Sequence, residues 1–426
     1  MPSTPIPYDA YYESGKCYFL IRDQDQNWMR VSDRSFMLHL ALADYDTQPA
    51  KGQVLSAAQK LMLRIQTERN IVYSGPLAGF DAGMHVQSGC KVLVTQSPIY
   101  PSCKPGDWSV IQALLEGMFQ TPDVDQTPFF HLWLQVADRS FVSKNFVPGP
   151  ALAMAGASFS GKTLLSRLVT RVLGNRAASP YRYLSGKTEF NSDLLGKEVL
   201  ILDDETPSKD LRTRRSIGTG IKNMLFAGIQ SGHGKNANAV TLRPFWRLLI
   251  LINDEIENLM VLPPIDESLN DKLILLKIIR RAMPMPATSP DDQAVFWNML
   301  ESQIPAYLHF LRHEFKAPAG SEIDPRTGVI NYKHPELLIQ LSEIAPETHM
   351  WSLVLATVLK DSREWIGSQE EITQQLCSSS FAFEARKLLS WPTAAGTYLS
   401  RLHKSNPKQV EKFRNSDDER LWRLKR

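Results

Sequence analysis

Residues 151–165 read Ala-Leu-Ala-Met-Ala-Gly-Ala-Ser-Phe-Ser-Gly-Lys-Thr-Leu-Leu, an apolar run that enters a glycine-bearing loop ending in Gly-Lys-Thr. Gly156, Gly161, Lys162 and Thr163 occupy every fixed position of the phosphate-cradling pattern G-x-x-x-x-G-K-[ST]. Small residues let successive backbone N–H groups curl around a polyphosphate, and the following helix points its positive end at the same place. On this reading Gly156, Ala157, Ser158, Phe159, Ser160, Gly161, Lys162, Thr163 and Leu164 wrap ATP, Lys162 reaches the β/γ-phosphates and Thr163 ligates Mg²⁺. The bland alternative is a glycine turn between a buried strand and a helix. Context argues against it, because Ala151 to Ala155 suit a buried strand and Leu164, Leu165, Leu168, Val169 and Val172 recur at helical spacing before Gly174.

The 426-residue chain is long enough for two or three domains. With 43% hydrophobic and 22% charged residues it has the composition of an ordinary globular protein. A formal net charge of +3 is too small to imply a nucleic-acid partner, so any such reading rests on local clustering of Lys and Arg. Cys17, Cys90, Cys103 and Cys377 are far apart and form no C-x-x-C pair, which argues against a zinc site or a disulfide framework and for a reducing, cytoplasmic setting. No apolar run reaches bilayer length, so no membrane association is expected.

In chain order, Cys17 to Ile21 and Trp28 to Val31 read as strands around an Asp23–Asn27 turn, with Ser32 capping a helix. Asp23 and Asp25 could hold metals, but Asp is also a common turn former and no second Asp or His cluster follows. Val54 to Thr67 has helical periodicity, Ile71 to Tyr73 and Cys90 to Thr95 read as strands, and helices are expected over Trp108–Phe119 and Phe129–Ala137, the latter capped by Thr127 with Pro128 first. Lys144 to Pro150 breaks regular structure. The expected domains are 1–146, mixed α+β and without assigned role, 147–285, an α/β P-loop core, and 286–426, a helical and winged-helix-like region.

After the P-loop helix, Val199 to Leu202 form a buried strand that delivers Asp203, Asp204 and Glu205 at its C-terminal end. Ligands bind at that edge of α/β sheets. One carboxylate holds the Mg²⁺ shell, with Asp203 and Asp204 as metal candidates, and another orients or deprotonates the attacking water. A third strand, Leu248 to Ile252, ends in Asn253, whose amide can hydrogen-bond a γ-phosphate or the lytic water without adding negative charge.

These three elements, with residues 221–246 between the second and third, resemble superfamily 3 helicases of the AAA+ group, and most of all the helicase modules of phage, plasmid and mobile-element primase-helicases. The resemblance covers roughly Val147 onward. It implies an AAA+ ATPase core and a ring, most simply a homo-hexamer, that moves on DNA through a basic hairpin whose tip enters the central pore. Lys222 and Lys235 match the basic positions of that motif, and His233 lies beside Lys235 in Gly232-His-Gly-Lys-Asn, a loop tip whose cation suits phosphates. The family's trans-acting arginine aligns with Lys272, a departure that matters because an ammonium is a point charge and cannot fork two phosphate oxygens. Arg280 and Arg281 follow it, and Arg212, Arg214 and Arg215 are rivals.

Ser289-Pro-Asp-Asp begins a helix directed toward Phe315 with a possible bend at Pro305, Ser368 to Glu371 form a capping box, and a helix is expected over Thr397–His403. Val410–Arg414 and Arg420–Lys425 then read as a hairpin. Basic residues including Arg401 and Lys404 gather here, either as DNA contacts on a recognition helix and wing or as solvated charge. Three functions compete: a DNA helicase or translocase driven by ATP, an ATPase that remodels or loads a protein partner, and a nucleotide-gated DNA-binding scaffold.

Overall fold

The structure, a computed structural model, describes residues 9–203, 210–228, 230–232, 240–416 and 418–426. Chain contacts divide the molecule into two compact units, one made of 1–205, 219–253 and 267–332, the other of 206–218, 254–266 and 333–426.

The first unit opens with β1 (Ala10–Glu13), β2 (Tyr18–Arg22) and β3 (Trp28–Val31), then α1 (Asp33–Leu42), α2 (Ala57–Glu68), β4 (Asn70–Ile71), β5 (Tyr73–Gly75), β6 (Gly83–Gln87) and β7 (Cys90–Val94). They form a four-stranded sheet in the order β3-β2-β1-β4 and a three-stranded one in the order β5-β7-β6. Asp23 serves the β2–β3 turn: its carboxylate accepts from the Asn27 N–H at 2.7 Å, and its own N–H donates to the Asn27 carbonyl. Ser32 caps α1 as expected, and Ser56 with Gln59 forms a capping box that starts α2 three residues later than the periodicity of Val54 suggests.

Helices α3 (Ser109–Phe119) and α4 (Thr127–Ser143) follow. Thr127 is not the cap of α4. Gln126 holds that position, Asp125 accepts the Thr127 N–H, and Thr127 is itself the first helical residue, ahead of Pro128. The break at 144–150 does not separate two cores: Leu115, Phe119, Phe130, Trp133 and Phe141 pack in one cluster with Leu152, Met154, Leu165, Leu249 and Ile274. The reason lies in α4, whose buried residues at 130, 134, 137 and 141 recur every three or four residues and belong to the same apolar cluster as the strands of the central sheet.

The central sheet is built from β8 (Ala151–Gly156), β9 (Ala177–Ala178), β10 (Val199–Asp203), β13 (Arg247–Ile252) and β14 (Leu273–Ile278). Between these strands lie α5 (Lys162–Val172), α6 (Tyr181–Leu184), α7 (Leu211–Phe226), α8 (Glu267–Asn270) and the antiparallel pair β11 (Gln230–Gly232) and β12 (Val240–Leu242). The sheet order is β14-β8-β13-β10-β9 and all pairings are parallel. Strand β8 is buried along its whole length, as a central parallel strand must be. Strand β14 was not anticipated. Its run Leu-Ile-Leu-Leu follows Asp271-Lys272 directly and lies beside β8 in register, Leu273 opposite Ala151 and Ile278 opposite Gly156.

Helix α9 (Pro290–His309) closes the unit. Ser289 and Asp292 form a capping box at its start, and beyond Pro305 it widens into a π turn over Phe310–Glu314. Gln135 donates to the carbonyls of Leu311 and Phe315 there, satisfying oxygens that the widened turn leaves without a regular partner.

The second unit holds α10 (Pro335–Glu343), α11 (Pro346–Ala356), β15 (Glu364–Gly367), α12 (Gln369–Cys377), α13 (Ala382–Leu388), α14 (Ala394–Ser405), β16 (Val410–Arg414) and β17 (Arg420–Lys425). The expected 397–403 helix extends at both ends, and the expected hairpin gains a third strand, giving the order β15-β17-β16. Its core is Met350, Val354, Ile372, Leu376, Tyr398, Leu399, Trp422 and Leu424. Among the described residues no helix is long and apolar enough to cross a membrane.

Candidate nucleotide site

Parallel register brings the ends of three strands to one edge of the sheet. Ile252 lies opposite Ala155, and Asp203 lies opposite Leu251, so the residues that leave β8, β13 and β10 are neighbours in space. Gly156 is where β8 yields to the loop, and the space there is closed: a Cβ would come within 2.4 Å of the Ile278 carbonyl oxygen. Two residues hold left-handed backbone in the loop, Phe159 with φ 62° at its exposed tip and Gly161 with φ 91° as the N-cap of α5. The glycine adopts this without a steric cost, while Phe159 adopts a conformation uncommon outside glycine.

Lys162 is buried, 7% exposed. Its ammonium donates to the carbonyl oxygens of Gly156 at 2.6 Å and Ala157 at 2.9 Å, and to Asn253 Oδ1 at 3.0 Å. The Thr163 hydroxyl lies 3.4 Å from Asp203 Oδ2. Lys162 and Asn253, 91 residues apart in sequence, therefore meet at one polar centre beneath the N-terminus of α5. The Ser160 hydroxyl is buried in the same loop and has no hydrogen-bond partner among the described residues. A phosphate oxygen would satisfy it. Thr163 and Asp203 are hard oxygen donors of the kind Mg²⁺ takes alongside phosphates, so the residues present fit both ATP and Mg²⁺. Asp204 and Glu205 lie outside the described residues.

The other candidates are dispersed. Lys272 sits at the opposite edge of the sheet, where its carbonyl accepts from the Ala151 N–H. Its ammonium pairs with Asp271 at 2.7 Å and lies over the Phe226 ring. Arg326 shares the Asp271 carboxylate and the same ring, a cluster that sequence reasoning missed because 55 residues separate the partners. Burial by itself would raise the pKa of Asp271, but the hydrogen bond from Lys272 and the charges of Lys272 and Arg326 outweigh it and leave the carboxyl with a lowered pKa. Arg280 is exposed just past β14, and Arg281 donates to the Gln120 carbonyl at 3.0 Å. Arg214 is buried and donates to the Leu262 carbonyl, with burial lowering its pKa to about 10. Arg215 binds the Tyr398 hydroxyl and stacks on Trp391. Both make these contacts within the second unit.

Of the expected DNA contacts, Lys222 donates to the Ser268 hydroxyl. His233 and Lys235 lie outside the described residues, in the stretch of sequence between the antiparallel strands β11 and β12. Arg401 makes ion pairs with Glu347 at 3.3 Å and Asp266 at 3.4 Å, while Lys404 is exposed on α14. Neighbouring basic residues are also paired: Arg423 with Glu364 and Glu411, Lys425 with Glu411, and Arg414 with Asp418.

No family model and no curated protein sequence matches the chain. Solved structures do. The chain is similar in fold to the C-terminal region of NrS-1. Three apo structures of that region match at 13%, 13% and 12% identity with TM-scores of 0.53, 0.52 and 0.50. The first match covers 97% of this chain and 95% of the NrS-1 region, the third 98% and 96%. The likeness thus extends over both compact units, and at this identity it speaks for the fold.

Proposed function

We propose that the chain is an ATP-hydrolysing, ring-forming DNA helicase or translocase of the phage or mobile-element replication type, built on an AAA+ core. The observation that carries this reading is the contact of Lys162 with Asn253, with Thr163 and Asp203 beside it at the same sheet edge. Strand β13 lies between β8 and β10, so the amide stands next to the P-loop lysine and the carboxylate stands one strand further out. That spacing suits a centre in which Lys162 compensates phosphate charge, Thr163 and Asp203 hold Mg²⁺, and Asn253 positions the γ-phosphate or the water. Mg²⁺, when bound, would neutralise charge that develops on the phosphates. Activation of the water falls to Asp204 or Glu205. The similarity to the NrS-1 region and the order of helix, strand, helices and hairpin in the second unit support a replication protein with a winged-helix end. Lys162→Ala should abolish ATPase activity at saturating nucleotide; turnover at the wild-type rate would overturn the assignment.

One observation favours a second reading. The basic residues of the C-terminal sheet and α14 are largely neutralised by carboxylates, which weakens the case for DNA contact there and favours an ATPase that remodels a protein partner. Stimulation of ATPase by single-stranded DNA separates the two, since a protein remodeller should show none.

A further inference from the structure

At the sheet edge opposite the P-loop, a cleft of about 560 Å³ is lined by Phe80, Lys144, Phe146, Arg243, Trp246 and Arg247 among others. Arg247 opens β13 and is 2% exposed. Its guanidinium donates to the carbonyls of Trp246 at 3.0 Å and Val147 at 2.9 Å, and no carboxylate meets it among the described residues. Burial lowers its pKa to about 9, with no carboxylate among the described residues to offset the cost. The chain makes room for this group: at Gly149 a Cβ would lie 2.7 Å from the guanidinium carbon. Lys144 is already neutralised by Asp81 at 3.3 Å, but Arg243, exposed on the rim, has no ion pair among the described residues. Phe80 and Phe146 meet edge to face at 5.2 Å and are only partly buried, so aromatic surface stands beside the two arginines.

A buried charge without a counter-ion costs several kcal/mol, and a site that keeps one has an anion to gain. The volume matches that of a small-molecule site. Arginine forks phosphate oxygens, and aromatic side chains stack bases of any sequence.

We propose that this cleft is a second nucleotide-unit site, separate from the P-loop, which takes a phosphate on Arg247 and Arg243 and a base against Phe80 and Phe146. A single nucleic-acid strand and a free nucleotide both carry that chemistry. The test uses the full chain bearing Lys162→Ala throughout, so that the P-loop contributes nothing and failure here is distinct from failure of the ATPase reading. A fluorescent oligo-dT carrying 5-iodouracil is titrated and photocrosslinked, and dTMP serves as competitor. Cross-links should fall on Phe80, Phe146 or Trp246. Arg243→Ala should weaken binding about tenfold and reduce the salt slope by about one. Arg247→Met should weaken binding yet raise the melting temperature, because an apolar side chain relieves the unpaired charge. Competition by dTMP at equal nucleotide concentration assigns the site to free nucleotide, and failure to compete assigns it to a strand. Cross-links elsewhere with Arg243→Ala binding as the parent does would overturn the proposal. So would an Arg247→Met variant that melts lower and binds normally, since the guanidinium would then be only a clamp on the 147 and 246 carbonyls.

Discussion

His131 shows how a single buried group can set a pH dependence. It packs among Trp108, Phe130, Phe310 and Phe315, with Nδ1 2.9 Å from the Tyr307 hydroxyl. Burial lowers its pKa from 6.5 to about 4. Between those values the unfolded chain binds a proton that the folded chain refuses, so the stabilisation is complete above pH 6.5 and is lost as pH falls toward 4. The difference corresponds to about 3 kcal/mol. His131→Phe should therefore melt with a flatter pH dependence than the parent across that window, read from thermal unfolding at each pH. An unchanged slope would mean that His131 is protonated in the folded chain. Its burial was not legible in the sequence: a lone His in the apolar run Phe-Phe-His-Leu-Trp reveals its helix face but not the Tyr307 hydroxyl 176 residues away.

At the scale of elements, Gly156 has a role that the phosphate pattern alone does not supply. The pattern asks for small residues so that backbone can approach a ligand, whereas here the close neighbour is the β14 backbone. Gly156→Ala should force β8 and β14 apart and cost roughly 1–3 kcal/mol, as overpacking does. Urea unfolding would measure this, and ATPase activity should fall with it because the loop is re-aimed. An alanine variant of wild-type stability would show that the strands can part freely. The β11–β12 pair illustrates the opposite case, in which the two segments on either side of residues 233–239, where the family resemblance implies a basic hairpin, pair antiparallel with Gln230 opposite Leu242.

At the scale of the whole molecule, the proposed ring needs a cation from one subunit at the ATP site of the next. Lys272 and Arg326 converge on Asp271 and the Phe226 ring, leaving two cations for one carboxylate. Mixing a Lys272→Ala or Arg326→Ala subunit with a Lys162→Ala subunit should restore part of the ATPase activity, because some interfaces then carry both intact halves. Sedimentation with an ATP analogue would establish co-assembly. No recovery in co-assembled rings would count against this cluster and turn attention to Arg280 and Arg281.

What the sequence determined by itself is local. The glycine and lysine spacing of 156–163, the capping boxes at 289 and 368, the Asp23 turn and the C-terminal hairpin depend on neighbours within a few residues, and each stands where local chemistry put it. The tertiary structure decided what depends on pairing across the sheet. Parallel register placed Asn253 on Lys162, ran β14 beside β8 and put Lys272 at the far edge. Packing joined α3 and α4 to the core of the central sheet rather than to a separate domain. An apolar face records only that a partner exists, and a buried cation such as Arg247 records even less, because its cost and its neighbours appear only when distant segments close around it.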